Sequence, residues 1–212
     1  MATKVAGELY ESLTGQLFEI GRQIRQANGY PFNPEDLQKH LQDAIEGRFF
    51  GGQMKLILSK PFNHTEFIGK DWTIEEEDPR SVALKEIEVD KFLFETCISE
   101  GENRITGEEK LRRLKEKTDF IPFGASIFLA LWEDYKANKK KSILEWLFLN
   151  KEGVRFMDFF GTVFRSPDGS RLVLYLYRGA GGGWDWYCSW LGYDWNVRYP
   201  SVGCASPLAI ES

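Results

Sequence analysis

With 212 residues, 42% of them hydrophobic and 15% aromatic, the chain holds enough apolar material to fold around its own core without a metal or disulfide staple. A formal charge of −5 excludes a surface built throughout to neutralise phosphates, although a local basic patch stays compatible with it. No apolar run reaches the roughly 18 to 20 residues of a membrane span, Met1 to Gly15 lacks the order of a secretory leader, and Cys97, Cys188 and Cys204 show no C-x-x-C spacing, so a soluble cytoplasmic protein with reduced thiols and neither metal nor cofactor is expected.

From Gly7 to Ala27, Leu9, Leu13, Leu17, Ile20, Ile24 and Ala27 recur at intervals of three and four, which predicts an amphipathic helix stopped by Asn28-Gly29. Asn33 as cap and Pro34 at the first helical position open a second helix with Leu37, Leu41, Ala44 and Ile45 on one face, ending at Gly47. The two make a helical hairpin over residues 1–50. Across a mixed middle region, 51–150, the run Gln53 to Ser59 reads as a short strand. The cluster Glu75, Glu76, Glu77 and Asp78 before Pro79 reads as a solvated loop, and Val82 to Ile87 and Lys91 to Ile98 as strands. Thr106 with Glu109 forms a capping-box pattern for a helix that runs from acidic Glu108 to basic Lys117. A further helix spans about Ala125 to Asn138, with an exit at Lys139-Lys140-Lys141, and Ser142 to Leu149 extends it after a kink.

From Val154 the period changes from 3.6 to 2, so residues 151–212 read as sheet. Ser166-Pro167-Asp168-Gly169 is a turn between the apolar run Phe156 to Phe164 and the run Arg171 to Arg178. Leu172, Leu174 and Leu176 share the core face of the second run, and Arg171, Val173, Tyr175 and Tyr177 the other. Gly179 to Gly183 reads as a mobile connector and lacks the Gly-Lys-Ser/Thr of a phosphate loop. Trp184, Trp186, Cys188 and Trp190 then alternate with Asp185, Tyr187, Ser189 and Leu191, and a fourth strand sets Tyr193, Trp195, Val197 and Tyr199 against Asp194, Asn196 and Arg198. The expected fold is α+β, with a four-stranded antiparallel meander packed on helices.

The run Gly-Gly-Gly-Trp-Asp-Trp-Tyr-Cys-Ser-Trp-Leu-Gly-Tyr-Asp-Trp ending in Pro200-Ser201 resembles a family of uncharacterised small proteins of candidate-phylum bacteria with reduced genomes. Leu17 to Phe49 with Tyr30-Pro31-Phe32-Asn33-Pro34, Gly69 to Ile74 and Gly107 to Leu111 match as well, and the pattern is departed from at Val202-Gly203. The resemblance implies one multi-segment protein and brings no activity, fold, ligand or catalytic residue with it.

Aromatic density is the sharpest feature, because four of the seven tryptophans lie between Trp184 and Trp195 and five of the eight tyrosines between Tyr175 and Tyr199. The tryptophan face reads as core. The opposite face carries Tyr175, Tyr177, Asp185, Tyr187, Ser189, Asp194, Asn196 and Arg198, a mixture that suits recognition because Tyr gives contact area at low entropy cost and small polar groups adapt their hydrogen bonds. The function expected is a non-catalytic binding module for a protein or glycan. A nucleic-acid-associated protein is the alternative, with aromatics as stacking platforms and Arg165, Arg171, Arg178 and Arg198 as cations. A glycan hydrolase using Asp185 and Asp194 is a further one. Only His40 and His64 exist, so a Cys-His nucleophile would need His64 brought to Cys97 or Cys188 by the fold.

Overall fold

A computed structural model of the protein describes residues 8–25, 33–45, 54–151 and 153–206. Two compact units divide the chain, Met1–Gly51 and Gly52–Ser212. The first holds α1 (Glu8–Ile24) and α2 (Pro34–Ile45). Asn33 caps α2 as its sequence predicts, its Oδ1 accepting from the Glu35 amide at 2.9 Å. Leu13, Leu17 and Ile24 of the α1 stripe are exposed. The stops at Asn28-Gly29 and Gly47, and residues 26–32 that would close the expected hairpin, lie outside the described residues.

In the second unit the chain runs β1 (Lys55–Ile57), α3 (His64–Phe67), β2 (Thr73–Glu77), α4 (Pro79–Ala83), β3 (Glu86–Glu88), β4 (Leu93–Glu95), β5 (Ile105–Thr106) and α5 (Gly107–Glu116). It continues through β6 (Phe120–Pro122), α6 (Ala125–Asn138), α7 (Ile143–Asn150), β7 (Phe156–Asp158), β8 (Thr162–Arg165), β9 (Arg171–Arg178), β10 (Trp184–Trp190), β11 (Asp194–Trp195) and β12 (Ser201–Ala205). The class is α+β, with seven α-helices and one large mixed sheet among the described residues. None of these helices is long and apolar enough to cross a membrane.

The eight-stranded sheet follows the order β2-β8-β9-β7-β12-β4, with β10 on β9 and β6 on β12. It is no simple meander. β9 and β10 pair antiparallel from Leu172↔Trp190 to Arg178↔Trp184, and Gly179 to Gly183 close that hairpin as a bonded turn, Gly179 N to Gly183 O at 2.9 Å. The expected fourth strand does not join β10. Its short remnant, β11, pairs with β5 in a separate ladder, Asp194↔Thr106 and Trp195↔Ile105. The parallel pairing of β12 with β7 at Ser201↔Asp158 makes the sheet mixed.

The other edge of β9 is shared by β8 and β7. Between Asp158↔Tyr175 and Phe164↔Leu172, residues 159–163 span a gap that 173 and 174 fill on β9. The surplus loops out at Phe160-Gly161-Thr162 and satisfies the start of α6, whose cap residue Gly124 has no side chain to offer. Thr162 Oγ1 accepts from the Ala125 amide at 3.0 Å and Ser81 Oγ from the Gly124 amide at 2.8 Å. Gly161 N donates to Phe123 O at 2.9 Å. A Cβ at Gly161 would stand 2.4 Å from Pro122 O, so only glycine fits this close approach.

Two expectations in the middle region are corrected. Glu75, Glu76 and Glu77 of the acidic cluster lie on an edge strand rather than a loop: β2 pairs with β8, and cations on neighbouring elements meet Glu75 and Glu76. Arg165 Nε lies 2.8 Å from Glu75 and Arg171 Nη2 2.5 Å from Glu76, while Lys115 also reaches Glu76. Val82 lies in α4, not in a strand, because Asp78 caps that helix, its Oδ1 2.9 Å from the Arg80 amide, and Pro79 occupies the first turn.

α5 begins at the Thr106 cap, whose Oγ1 accepts from the Glu109 amide at 3.2 Å. The Glu109 carboxylate is held by Arg112 and Arg113, and Arg113 also binds Glu102 and the Cys97 carbonyl.

Two measurements test this account. Gly161→Ala should lose about 1–3 kcal/mol in urea denaturation because Pro122 O cannot retreat, whereas Gly181→Ala, whose Cβ would meet nothing within 4 Å, should stay within about 0.5 kcal/mol. Hydrogen bonds from Arg113 and Arg112 hold Glu102 and Glu109 at about 2, below the ordinary 4.5. The unfolded chain therefore takes up these protons first, so their contribution is complete above pH 4.5 and is lost as pH falls toward 2. The urea midpoint should fall through that window, and Arg113→Met should flatten the fall.

Candidate functional site

On β10, Trp184 is buried and Trp186 and Cys188 pack against the main core, while Asp185 and Tyr187 point the other way. Trp190 does not follow its partners inward; it is 44% exposed beside Tyr193, their rings 5.2 Å apart. Buried Glu145 anchors the hairpin from α7, accepting from Trp184 Nε1 at 2.9 Å and from Arg178 Nε at 3.1 Å.

The solvent side of this hairpin carries a row of rings. Tyr187, 67% exposed, lies 6.5 Å from Tyr175, which lies 5.8 Å from Tyr177. Phe156 of β7 stacks on Tyr177 at 6.3 Å and meets Tyr199 edge-on at 4.9 Å. Asp185 sits opposite Tyr177, and Ser189 opposite Val173. Five of the expected residues, Tyr175, Tyr177, Asp185, Tyr187 and Ser189, thus share one face of one ladder.

The other three lie elsewhere. Asp194 is on β11 and faces Arg104 at 3.3 Å. Asn196 turns on itself, its Oδ1 accepting from the Arg198 amide at 2.9 Å. Arg198 lines a separate groove. The alternation expected here fails, because Tyr193 and Val197 are exposed while Trp195 is buried. With Asp185 opposite Tyr177 and Asp194 opposite Thr106, the two carboxylates belong to different ladders.

Beside the open row, across the ladder from Tyr175, lies a buried charge cluster. Asp158 Oδ2 accepts from Trp195 Nε1 at 2.7 Å and from Lys110 Nζ at 3.3 Å, and Lys110 also donates to Tyr199 O at 2.5 Å. Lys110 is 0% exposed and Asp158 2%. Burial pushes the Asp158 carboxyl up and the Lys110 ammonium down, and the attraction between them opposes both shifts. Cut off from solvent, the pair is a positioning device that ties α5 to β7 and fixes the chain at Tyr199.

Phe156 also borders an open groove of about 650 Å³ whose apolar lining includes Phe94, Val154 and Val197. Its charged lining is Lys151, Arg155 and Arg198, with no carboxylate among the described residues. Lys151 Nζ donates to the Asp90 carbonyl at 2.7 Å, and the Arg155 guanidinium lies 5.5 Å from the Phe148 ring. Sequence reasoning missed Phe94, Phe156, Lys151 and Arg155, which come together only when β4, β7 and the lead into β12 are placed side by side.

Burial raises the Cys97 and Cys188 thiols to about 11, far from the range of a thiolate nucleophile. Among the described residues no three His, Cys, Asp or Glu side chains converge to hold a metal ion. No protein-family model, curated protein or solved structure matches the chain.

The buried pair predicts a double-mutant signature. Lys110→Met should cost about 3–5 kcal/mol by leaving Asp158 buried and unpaired. Lys110→Met combined with Asp158→Leu should cost less than the sum of the single changes, read from chemical denaturation of all four species.

Proposed function

We propose that the protein is a non-catalytic binding module whose tyrosine face on β9 and β10 recognises a protein or a glycan. The observation that carries this reading is Tyr187, 67% exposed in the middle of a fully paired ladder, with Tyr175 and Tyr177 half-buried beside it. A solvated sheet face ordinarily carries charged or small polar groups. Here a rigid aromatic strip is flanked by Asp185 and Ser189, which supplies contact area together with orienting hydrogen bonds. The high thiol values and the separation of Asp185 from Asp194 onto two ladders support binding without turnover.

Single-stranded nucleic acid is the second reading, favoured by the cations that line the groove at the Phe156 end of the aromatic row. Asp185, across the ladder from Tyr177, puts a negative charge beside the row and counts against a strand laid along the whole of it.

Binding to a glycan array, and to protein partners captured by photo-crosslinking at Ser189, separates these readings. Tyr187→Ala and Tyr175→Ala should each lower the affinity of the ligand found by about tenfold or more, and the exposed Tyr187→Ala should leave the melting temperature close to the parent's. Undiminished binding by both variants removes this face from the reading.

A further inference from the structure

We infer that the groove between the α7–β7 connection, β4 and the lead into β12 binds a phosphorylated nucleoside. Its volume of about 650 Å³ falls in the range of small-ligand sites, roughly 300–1,000 Å³. Lys151, Arg155 and Arg198 bring three positive charges to its lining in a chain whose formal charge is −5. Among the described residues no carboxylate offsets them there; Glu152, next to Lys151 in the chain, lies outside the described residues. Lys151 donates to a neutral carbonyl, which orients the ammonium without neutralising it. Many cations of this unit meet acids, as Arg171 meets Glu75, Glu76 and Glu108, whereas the groove gathers three cations with no acid among the described residues of its lining.

The apolar lining decides what kind of anion fits. Phe94 and Phe156 flank the cations, with Val154 and Val197 beside them. A bare inorganic anion would leave these surfaces wet, and a neutral sugar would leave the cations without a role. A nucleoside phosphate uses both, its phosphate oxygens taking the guanidinium forks and its base lying against aromatic and aliphatic walls. The unit bound is either a free nucleotide or a nucleotide within a single strand. This goes beyond the reading of the tyrosine face, because of the aromatic row only Phe156 borders the groove.

The test is isothermal titration of the full chain with ADP, adenosine, inorganic pyrophosphate and a single-stranded oligonucleotide, repeated for Arg155→Ala with Arg198→Ala. Both arginines are exposed, so the double variant should melt with the parent. ADP should bind at least about tenfold tighter than adenosine or pyrophosphate, and the double variant should lose about tenfold or more. Oligonucleotide binding more than tenfold tighter than ADP assigns the strand as the source, and equal or weaker binding assigns the free nucleotide; both sustain the inference. No binding of ADP or oligonucleotide, pyrophosphate binding as tightly as ADP, or binding unchanged in the double variant overturns it. Tyr187→Ala should leave ADP affinity unchanged, so failure of the tyrosine face and failure of the groove are read separately.

Discussion

Asp158 is the constraint on which the arrangement turns. A carboxylate at 2% exposure is tolerated only when its oxygens are taken up, and here one oxygen gathers the Lys110 ammonium and the Trp195 indole. The three donors and acceptors come from α5, β7 and β11, which lie far apart in the chain. Lys110 completes its shell with the Tyr199 carbonyl and lies 4.8 Å from the Phe160 ring. The cluster therefore sets where α5 docks, where the β10–β12 connection runs and where Tyr199 stands, and Tyr199 in turn closes on Phe156.

That docking decides which part of β9 is open. Val173 is buried on the face opposite the leucines because Leu111 and Leu114 of α5, with Ile105, Leu191 and Trp195, form a second core cluster over it. The expectation that all of this face meets solvent holds only beyond the cluster, at Tyr175 and Tyr177. Asp158 pairs with Tyr175 across the ladder, so the buried charge marks the border between covered and open sheet. A purely apolar contact could slide along the strand, whereas a directed hydrogen bond to a buried carboxylate has one register.

Much of the layout follows from local chemistry that a sequence displays. The helix over Ala125–Asn138, the Thr106 cap and the turn before β9 form as read, Ser170 N bonding Asp168 Oδ1 at 3.0 Å. What escaped was long-range pairing between very short segments: β5 and β11 are two residues each, too short for period or propensity to mark them. The buried pair left traces all the same. Gly107, Lys110, Leu111 and Leu114 are the buried positions of α5, so Lys110 occupies the apolar stripe. Asp158 is the sole charge in the apolar run Phe156 to Phe164. Each breaks its own pattern, and two such breaks of opposite sign are a reason to look for one ion pair.

The charge layout extends this logic to the surface. Edge strand β2 carries consecutive acids, and Arg165, Arg171 and Lys115 from β8, β9 and α5 converge on them, so one end of the sheet is neutralised internally. At the other end, where β4 is the last strand of the sheet path, Lys151, Arg155 and Arg198 line the groove with no acid from the described residues beside them. Exposed ion pairs contribute little to stability, so leaving a set of cations unmatched costs the fold little. Fixed positive charge next to a stacked aromatic pair is then free to act on a ligand, and the Tyr177–Phe156 stack places that charge at the end of the only aromatic row described on this face.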